Sequence, residues 1–374
     1  MALDQDQILA LVDEGLAAAP VPYAGDVQLR LRRMAADGML QASSRSKESL
    51  QLASAIGPFA SLIRKTAIDA LAACDVASIP LPVCNAIAKI HAGRDCVFVF
   101  DGLLDAAAAN VAMSHAVENL PPAFDTTFPR GEYPTVSARA WVGVILGWLI
   151  NRFLTHAEEL PDFRILIAPP ARDTEIRHAF MGAAWWTLLH ELGHLALGHT
   201  RLAATHSRPA ISQALVVTQE LSLFQLQEFE ADEFAFSCLT EKGQKLSYGW
   251  ANYALGPSMM LETLASFQGD THPLTVNRLE RARELAEDVD AIADEIGARR
   301  HLERHGKAYT SIREEHRKMR EAGEVPLFAD SPSQALLAAL GGLRELFESS
   351  GIEIDRFRDS SGFGWRSLLG GDLR

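Results

Sequence analysis

His190-Glu191-Leu192-Gly193-His194 places two imidazoles and a carboxylate within five residues, and Glu228-Phe229-Glu230-Ala231-Asp232 begins 34 residues after His194. On a helix, positions 190 and 194 lie one turn apart on the same face, so both imidazoles can reach one metal ion at about 2.0–2.1 Å. Glu191 then stands beside the metal rather than on it. That suits a general base taking a proton from zinc-bound water, whose pKa the metal lowers towards about 7. The bland alternative makes the histidines core residues and Glu191 a surface carboxylate, but two buried imidazoles beside a carboxylate are costly without a shared partner.

A catalytic zinc takes three protein ligands and keeps a fourth position open. Two residues compete for the third place. His199 follows His194 by five residues, whereas in the H-E-x-x-H-x-x-G-x-x-H pattern the third His follows the second by six and a Gly by three, so Gly198 and His199 are out of register. Glu228 is the better ligand, because Leu221 to Leu239 reads as a second apolar-rich helix able to lay a carboxylate against the first. Asp232, one turn further on, can accept a hydrogen bond from the non-ligating nitrogen of a metal histidine and fix its tautomer. Glu230 and Glu233 read as a solvated acidic face.

The elements that must position these groups follow from their flanks. Ala179 to Leu189 is apolar all round, as a helix buried in a core must be, and Asp173 and Thr174 before it offer an N-cap. Val97 to Phe100 is a short apolar run followed by Asp101-Gly102-Leu103-Leu104-Asp105.

In this arrangement the chain resembles zinc metallopeptidases of the CAAX-prenyl-protease and HtpX type, within the gluzincins, whose third ligand is the Glu of an E-x-x-A-D motif. Four pieces match in order: Asn85-Ala86-Ile87-Ala88 before the apolar strand that ends in Gly102-Leu103-Leu104; His190 through His199 as H-E-x-x-H-x-x-x-x-H; Glu228 to Asp232; and Thr271-His272-Pro273-Leu274-Thr275-Val276-Asn277-Arg278 as T-H-P-x-x-x-x-R. The metal motifs are the specific ones, and the Asn-Ala and Gly-Leu-Leu pieces are weak alone. The resemblance implies peptide-bond hydrolysis with one Zn2+ per chain held by His190, His194 and Glu228, Glu191 activating water and Asp232 behind a ligand. By the same analogy Asn85 and His272 lie near the substrate backbone or the oxyanion, and Arg278 braces the zinc site or its carboxylates. The competing reading of His272-Pro273 is a helix-initiating turn, with Arg278 in a surface salt bridge.

The departures are equally informative. The family has a short connection between the Gly-Leu-Leu piece and the metal helix, whereas more than eighty residues separate Leu104 from His190 here, and we read about 106–172 as an insertion. Its apolar helix, Ala140 to Ile150, is shorter than the roughly 20 residues a bilayer span requires and is flanked by Arg139 and Arg152, so a buried helix is expected. With no transmembrane segment in the sequence, prenylated or membrane-embedded substrates are not expected.

A net charge of -13 and a pI near 5.4 leave no global attraction for phosphate, so no nucleic-acid partner is expected. Arg30, Arg32 and Arg33, and Arg313, Arg317, Lys318 and Arg320, read as solvated faces. The acidic start lacks a basic-then-apolar signal peptide, and the four cysteines, Cys74, Cys84, Cys96 and Cys238, form no C-x-x-C pair, which together suggest the cytoplasm.

The expected organisation is an N-terminal helical region over 1–75, a metallopeptidase core over 76–300, and a helical C-terminal region with a mobile tail over 301–374. Gln7 to Leu16, Val27 to Leu40 and Ser49 to Ala73 read as amphipathic helices, broken at Pro20-Val21-Pro22 and at Ser43-Ser44. Val276 to Ile296, Arg300 to Glu321 and Ser333 to Ser349 read as further helices, with a linker at Pro326 to Pro332 and, in the tail, Phe363 and Trp365 able to dock into a groove. The fold class is α+β and mainly helical: a zincin-like core whose small sheet has its edge strand near Val97 to Phe100, between helical N- and C-terminal extensions. An exposed edge there would hold an extended protein or peptide substrate by strand addition.

Two other readings remain. One is a regulatory peptidase resembling the ImmA/IrrE repressor-cleaving type, or a phage-exclusion peptidase, that cuts one specific cytoplasmic protein; Glu228 to Ala235 approaches its E-x-E-A-N-x-F-A pattern, while Asp232 and the His272-to-Arg278 piece depart from it. The other is a non-catalytic zinc-binding scaffold, which would have no use for Glu191 beside the metal. Substrate, trigger and oligomeric state are not readable from the sequence.

Overall fold

The computed structural model describes residues 3–19, 23–45, 59–118, 120, 122–125, 138–157, 173–200, 223–264 and 272–287. The elements, in chain order, are α1 (Gln5–Ala18), α2 (Gly25–Arg45), α3 (Lys65–Ala73), β1 (Asp75–Ile79), β2 (Ala86–His91), β3 (Arg94–Phe100), α4 (Asp101–Glu118), a short 3-10 turn (Pro122–Asp125), α5 (Ala138–His156), α6 (Asp173–Ala196), α7 (Leu223–Ser237), α8 (Glu241–Leu264) and α9 (Thr275–Glu287). Among the described residues this is a mainly helical α+β fold with one three-stranded sheet.

The sheet order is β1-β3-β2, with β1 parallel and β2 antiparallel to β3. The expectation that Val97 to Phe100 forms an edge strand is therefore wrong: β3 is central, and β2 is an edge. The reason is visible in burial. Cys96 to Phe100 are all buried, and a strand covered on both faces and paired on both sides reads as a continuous apolar run rather than an alternation. In β2 only Ile87 is buried, and the strand carries Lys89 and His91.

Helix α6 is the spine of the molecule. It packs on α7, α8, α4 and β2, so apolar residues on all its faces are used: Ile176, Phe180, Trp185, Trp186, Leu188 and Leu189 are buried. Full burial of a side chain such as Phe180 contributes about 1.5–3 kcal/mol, and these faces hold the helix at a fixed rotation. Helix α5 is longer than the sequence suggests and buries Val142, Leu146, Ile150, Phe153 and Leu154 against its neighbours α4 and α8. No described helix is long and apolar enough to cross a membrane.

The N-terminal helices share this core. Leu11, Val12 and Leu16 of α1 and Val27 and Leu31 of α2 belong to the same buried cluster as the sheet and α6. Asp4 caps α1 in a reciprocal capping box with Gln7. Helix α2 runs through Ser43-Ser44 to Arg45, since serine is merely neutral inside a helix and does not break it. Of the helix expected over Ser49 to Ala73, residues 49–58 lie outside the described residues and α3 covers Lys65–Ala73; just before it Ile63 pairs with Leu239 and Arg64 N–H donates to Cys238 O, which ties residues 63 and 64 to the end of α7 in place of a helical turn. Arg32 pairs with Asp13, and Arg30 donates to the carbonyls of His156 and Ala157, so these two arginines are structural ties. The helices expected over Arg300 to Glu321 and Ser333 to Ser349, the linker and the tail with Phe363 and Trp365 lie outside the described residues, as do Thr271 and the far end of the helix expected to Ile296.

Candidate metal centre

Helix α6 brings His190 and His194 to one face, and α7, packed against it, brings Glu228 opposite them. Gly193 makes this approach possible. A Cβ there would stand 3.1 Å from Ala231 Cα and 3.2 Å from Ala231 O, so any side chain at this position would push α7 outward.

The three groups fit a tetrahedral metal. His190 Nε2 lies 3.1 Å from His194 Nε2, Glu228 Oε2 lies 3.4 Å from His190 Nε2, and Glu228 Oε1 lies 3.5 Å from His194 Nε2. Ligand atoms held at 2.0–2.1 Å in tetrahedral directions stand about 3.3 Å apart, and the two Nε2 atoms, each faced by one oxygen of Glu228, are close to that spacing. His190, His194 and Glu228 could hold a metal ion.

Behind them is a second layer of contacts. His190 Nδ1 lies 2.9 Å from Asp232 Oδ1. Arg278, reaching in from α9, donates from Nε to Asp232 Oδ2 at 2.7 Å and from Nη2 to Asp232 Oδ1 at 2.8 Å, while its Nη1 lies 3.1 Å from Glu228 Oε2. Arg278 and Asp232 are both buried. Arg278 is thus not in a surface salt bridge: its guanidinium clamps two carboxylates inside the site. Burial by itself would raise the Asp232 and Glu228 carboxyls, but Arg278 beside both, with His272 beside Glu228, holds them below the usual carboxylate range.

The charge balance also accommodates a cation. Burial alone would lower His190, yet its hydrogen bonds with Asp232 and Glu228 raise it to about 10, so without metal it carries a proton that offsets a carboxylate. Burial, with the charged His190 nearby, drives His194 down to about 3. A divalent cation with both histidines neutral and Glu191 ionised would leave the cluster of Glu191, Glu228, Asp232 and Arg278 with no net charge, as does the metal-free cluster with His190 protonated and Glu191 neutral, so the site can take a cation without a buried charge imbalance.

Glu191 is buried beside the triad, and its carboxyl is pushed up to about 7, chiefly by burial and also by Glu228, against the lowering effects of His190, Arg278 and a hydrogen bond from Ala88 N–H. A carboxylate poised near neutrality is matched to proton transfer at neutral pH. Ala88 lies on the β2 edge, so Glu191 is held where the sheet meets α6.

A cavity opens against the triad, with Asn85, Ala86, Leu103, Trp186, Leu255 and His272 on its wall. His272 Nε2 lies 3.8 Å from Glu228 Oε2, and burial lowers its pKa. Asn85, on the cavity wall, is oriented by two bonds: its Nδ2 donates to Gly15 O at 3.0 Å, and its Oδ1 accepts from Ala86 N–H at 2.9 Å.

Sequence reasoning missed one pair. Glu230 is not a solvated carboxylate; its Oε2 lies 2.8 Å from His199 Nε2, and its side chain is 13% exposed. Glu233 accepts from Arg281 Nε at 2.7 Å. The available signal for His199 was Gly198. With φ +76 it ends α6 in a left-handed turn, in which Gly198 N–H bonds Leu195 O and His199 N–H bonds His194 O. This is a Schellman closure, which folds His199 back onto the last turn.

No curated protein and no solved structure matches the chain. Residues 164–295, the segment that carries His190, Glu191, His194, Glu228, Asp232, His272 and Arg278, are similar to the family described as Peptidase U49, and this match supports a peptidase function.

Proposed function

We propose that the protein is a zinc-dependent endopeptidase of gluzincin type, acting on a protein or peptide substrate. The observation that carries this reading is Glu191, a buried carboxylate standing beside His190, His194 and Glu228, whose ligand atoms converge on one point. The similarity of 164–295 to a peptidase family supports the peptidase part of this reading. The likeness to the CAAX-prenyl-protease and HtpX type, and the one-zinc stoichiometry, belong to the same proposal.

When bound, zinc polarises the scissile carbonyl and acidifies the attacking water. Glu191 takes the proton as water adds to the carbonyl carbon and returns it to the leaving nitrogen as the C–N bond breaks. His272, on the cavity wall, donates to the oxyanion that develops during addition. Arg278 holds Glu228 and Asp232 in place, and Asp232 fixes the tautomer of His190 so that Nε2 faces the metal. An extended substrate lies along β2, an edge of the sheet, and Asn85 shapes the start of that strand through its bond to Gly15. Free thiols at Cys74, Cys84, Cys96 and Cys238 suit a reducing compartment such as the cytoplasm.

The test is zinc content by elemental analysis, followed by incubation of the zinc-loaded protein and its Glu191→Gln variant with a cell extract and labelling of newly formed peptide N-termini. New termini produced by the wild type alone are expected. Termini produced equally by both proteins would refute the mechanism, and a protein that takes up no zinc would refute the metal assignment.

A further inference from the structure

We infer that His199 and Glu230 form a positioning couple for the metal site: His199 accepts the Nδ1–H of His194 and is itself held by Glu230, which fixes the tautomer and ring angle of that ligand. The inference rests on the metal-site reading above and extends it to residues that reading does not use.

The geometry gives each proton one place. His194 Nε2 faces His190 Nε2 and Glu228, so its lone pair is the one offered to the metal and its proton sits on Nδ1. That Nδ1 lies 3.0 Å from His199 Nδ1, which must then be the acceptor. The His199 proton is left on Nε2, 2.8 Å from Glu230 Oε2, where it donates to the carboxylate. The opposite assignment would set a lone pair of His199 against a carboxylate oxygen. One chain of donors runs from His194 through His199 to Glu230 with every group satisfied.

The backbone builds the couple. The Gly198 turn brings the His199 N–H onto the carbonyl of His194 itself, at 2.9 Å, so the two residues are joined by both main chain and rings. Both metal histidines thereby end on carboxylates of α7: His190 directly on Asp232, and His194 through His199 on Glu230. His194 lies in the last turn of α6, and His199 bridges the gap to the neighbouring helix. His199 is thus a positioning residue rather than a ligand, since both its ring nitrogens are engaged away from the metal.

Zinc affinity, measured by competition with a chromophoric chelator, tests this in the wild type and in His199→Ala, His199→Gln and Glu230→Ala, together with the absorption spectrum of each protein loaded with Co2+. Loss of an outer hydrogen-bond partner lowers metal affinity about 10- to 100-fold. His199→Ala is expected to show that loss with an altered Co2+ spectrum, and Glu230→Ala a smaller loss in the same direction. His199→Gln, whose Oε1 can accept from His194 Nδ1–H, is expected to recover part of the affinity. If His199→Ala does not fold, the comparison of His199→Gln and Glu230→Ala with the wild type decides. Wild-type affinity and spectrum in the variants would overturn the inference, and so would complete loss of metal in both His199 variants, which would make His199 a ligand. A wild-type protein that takes up no zinc would overturn the metal-site reading, and this inference with it.

Discussion

Arg278 and Asp232 meet in a two-bonded fork, Nε to Oδ2 at 2.7 Å and Nη2 to Oδ1 at 2.8 Å, although they lie on different helices and are 46 residues apart in the chain. The fork is buried, and Asp232 also faces His190, so one ion pair joins α9, α7 and α6 at the metal centre.

The first prediction concerns pH. Asp232 is held below its ordinary range, so its contribution to stability is present above the unfolded carboxyl value of about 3.9 and is lost as pH falls through the lower, folded value. Urea unfolding of the metal-free protein between neutral and acid pH should show stability falling below about pH 4. Asp232→Asn should weaken that acid dependence and lower stability at neutral pH by less than the roughly 3–5 kcal/mol of an uncompensated buried charge, because Arg278 loses one carboxylate partner and keeps Glu228. An acid limb identical to that of the wild type would show that the fork contributes nothing.

Glu191→Gln removes the base and leaves the ligands. Metal content should stay at the wild-type level while peptide hydrolysis falls by about 10²- to 10⁴-fold, the usual contribution of general acid–base catalysis. Undiminished turnover would assign the base to another group.

Glu228→Ala and His194→Ala should each lose zinc under chelator washing that the wild type survives, because either change leaves two protein ligands. Zinc held equally well in Glu228→Ala would move the third ligand elsewhere. Elemental analysis of the three proteins side by side decides this.

Gly193 is predicted to set the separation of α6 and α7. Gly193→Val places carbon where Ala231 Cα and O already stand 3.1 and 3.2 Å from a Cβ, so α7 must move and carry Glu228 away from the histidines. Zinc affinity should fall about tenfold or more, a loss on the scale of a disturbed metal shell, even though replacing Gly by Val relieves a few tenths of a kcal/mol of intrinsic helix penalty. A Gly193→Val protein with wild-type zinc affinity would show that the contact does not control the site.

Much of this was legible in sequence wherever one element sufficed. The four-residue spacing of His190 and His194 puts them on one helical face whatever surrounds them, and the apolar flanks of α6 and the apolar run within α5 mark both as buried helices, because 3.6-residue periodicity and total apolarity are local properties. Glu228 and Asp232 could be chosen among the acids of α7 because they lie one turn apart, and the turn at Gly198 could be read from its residue type.

What lies between elements had to come from the tertiary structure. Val97 to Phe100 reads the same at an edge or at the centre of a sheet; only the pairing of β1 on one side and β2 on the other makes it central. Glu230 and Glu233 look alike on a helical wheel as solvated acids, yet one is 2.8 Å from His199 and the other is paired with Arg281, because α6 and α9 cover that face. Asn85 carries no mark that α1 will take its amide through Gly15, 70 residues away. Sequence by itself determined the groups that can ligate a metal and the faces they occupy, since helical spacing is set within a few residues. The tertiary structure decided which charges pair behind them, since that depends on how closely the helices approach, and here the missing side chain of Gly193 and the reach of Arg278 set that approach.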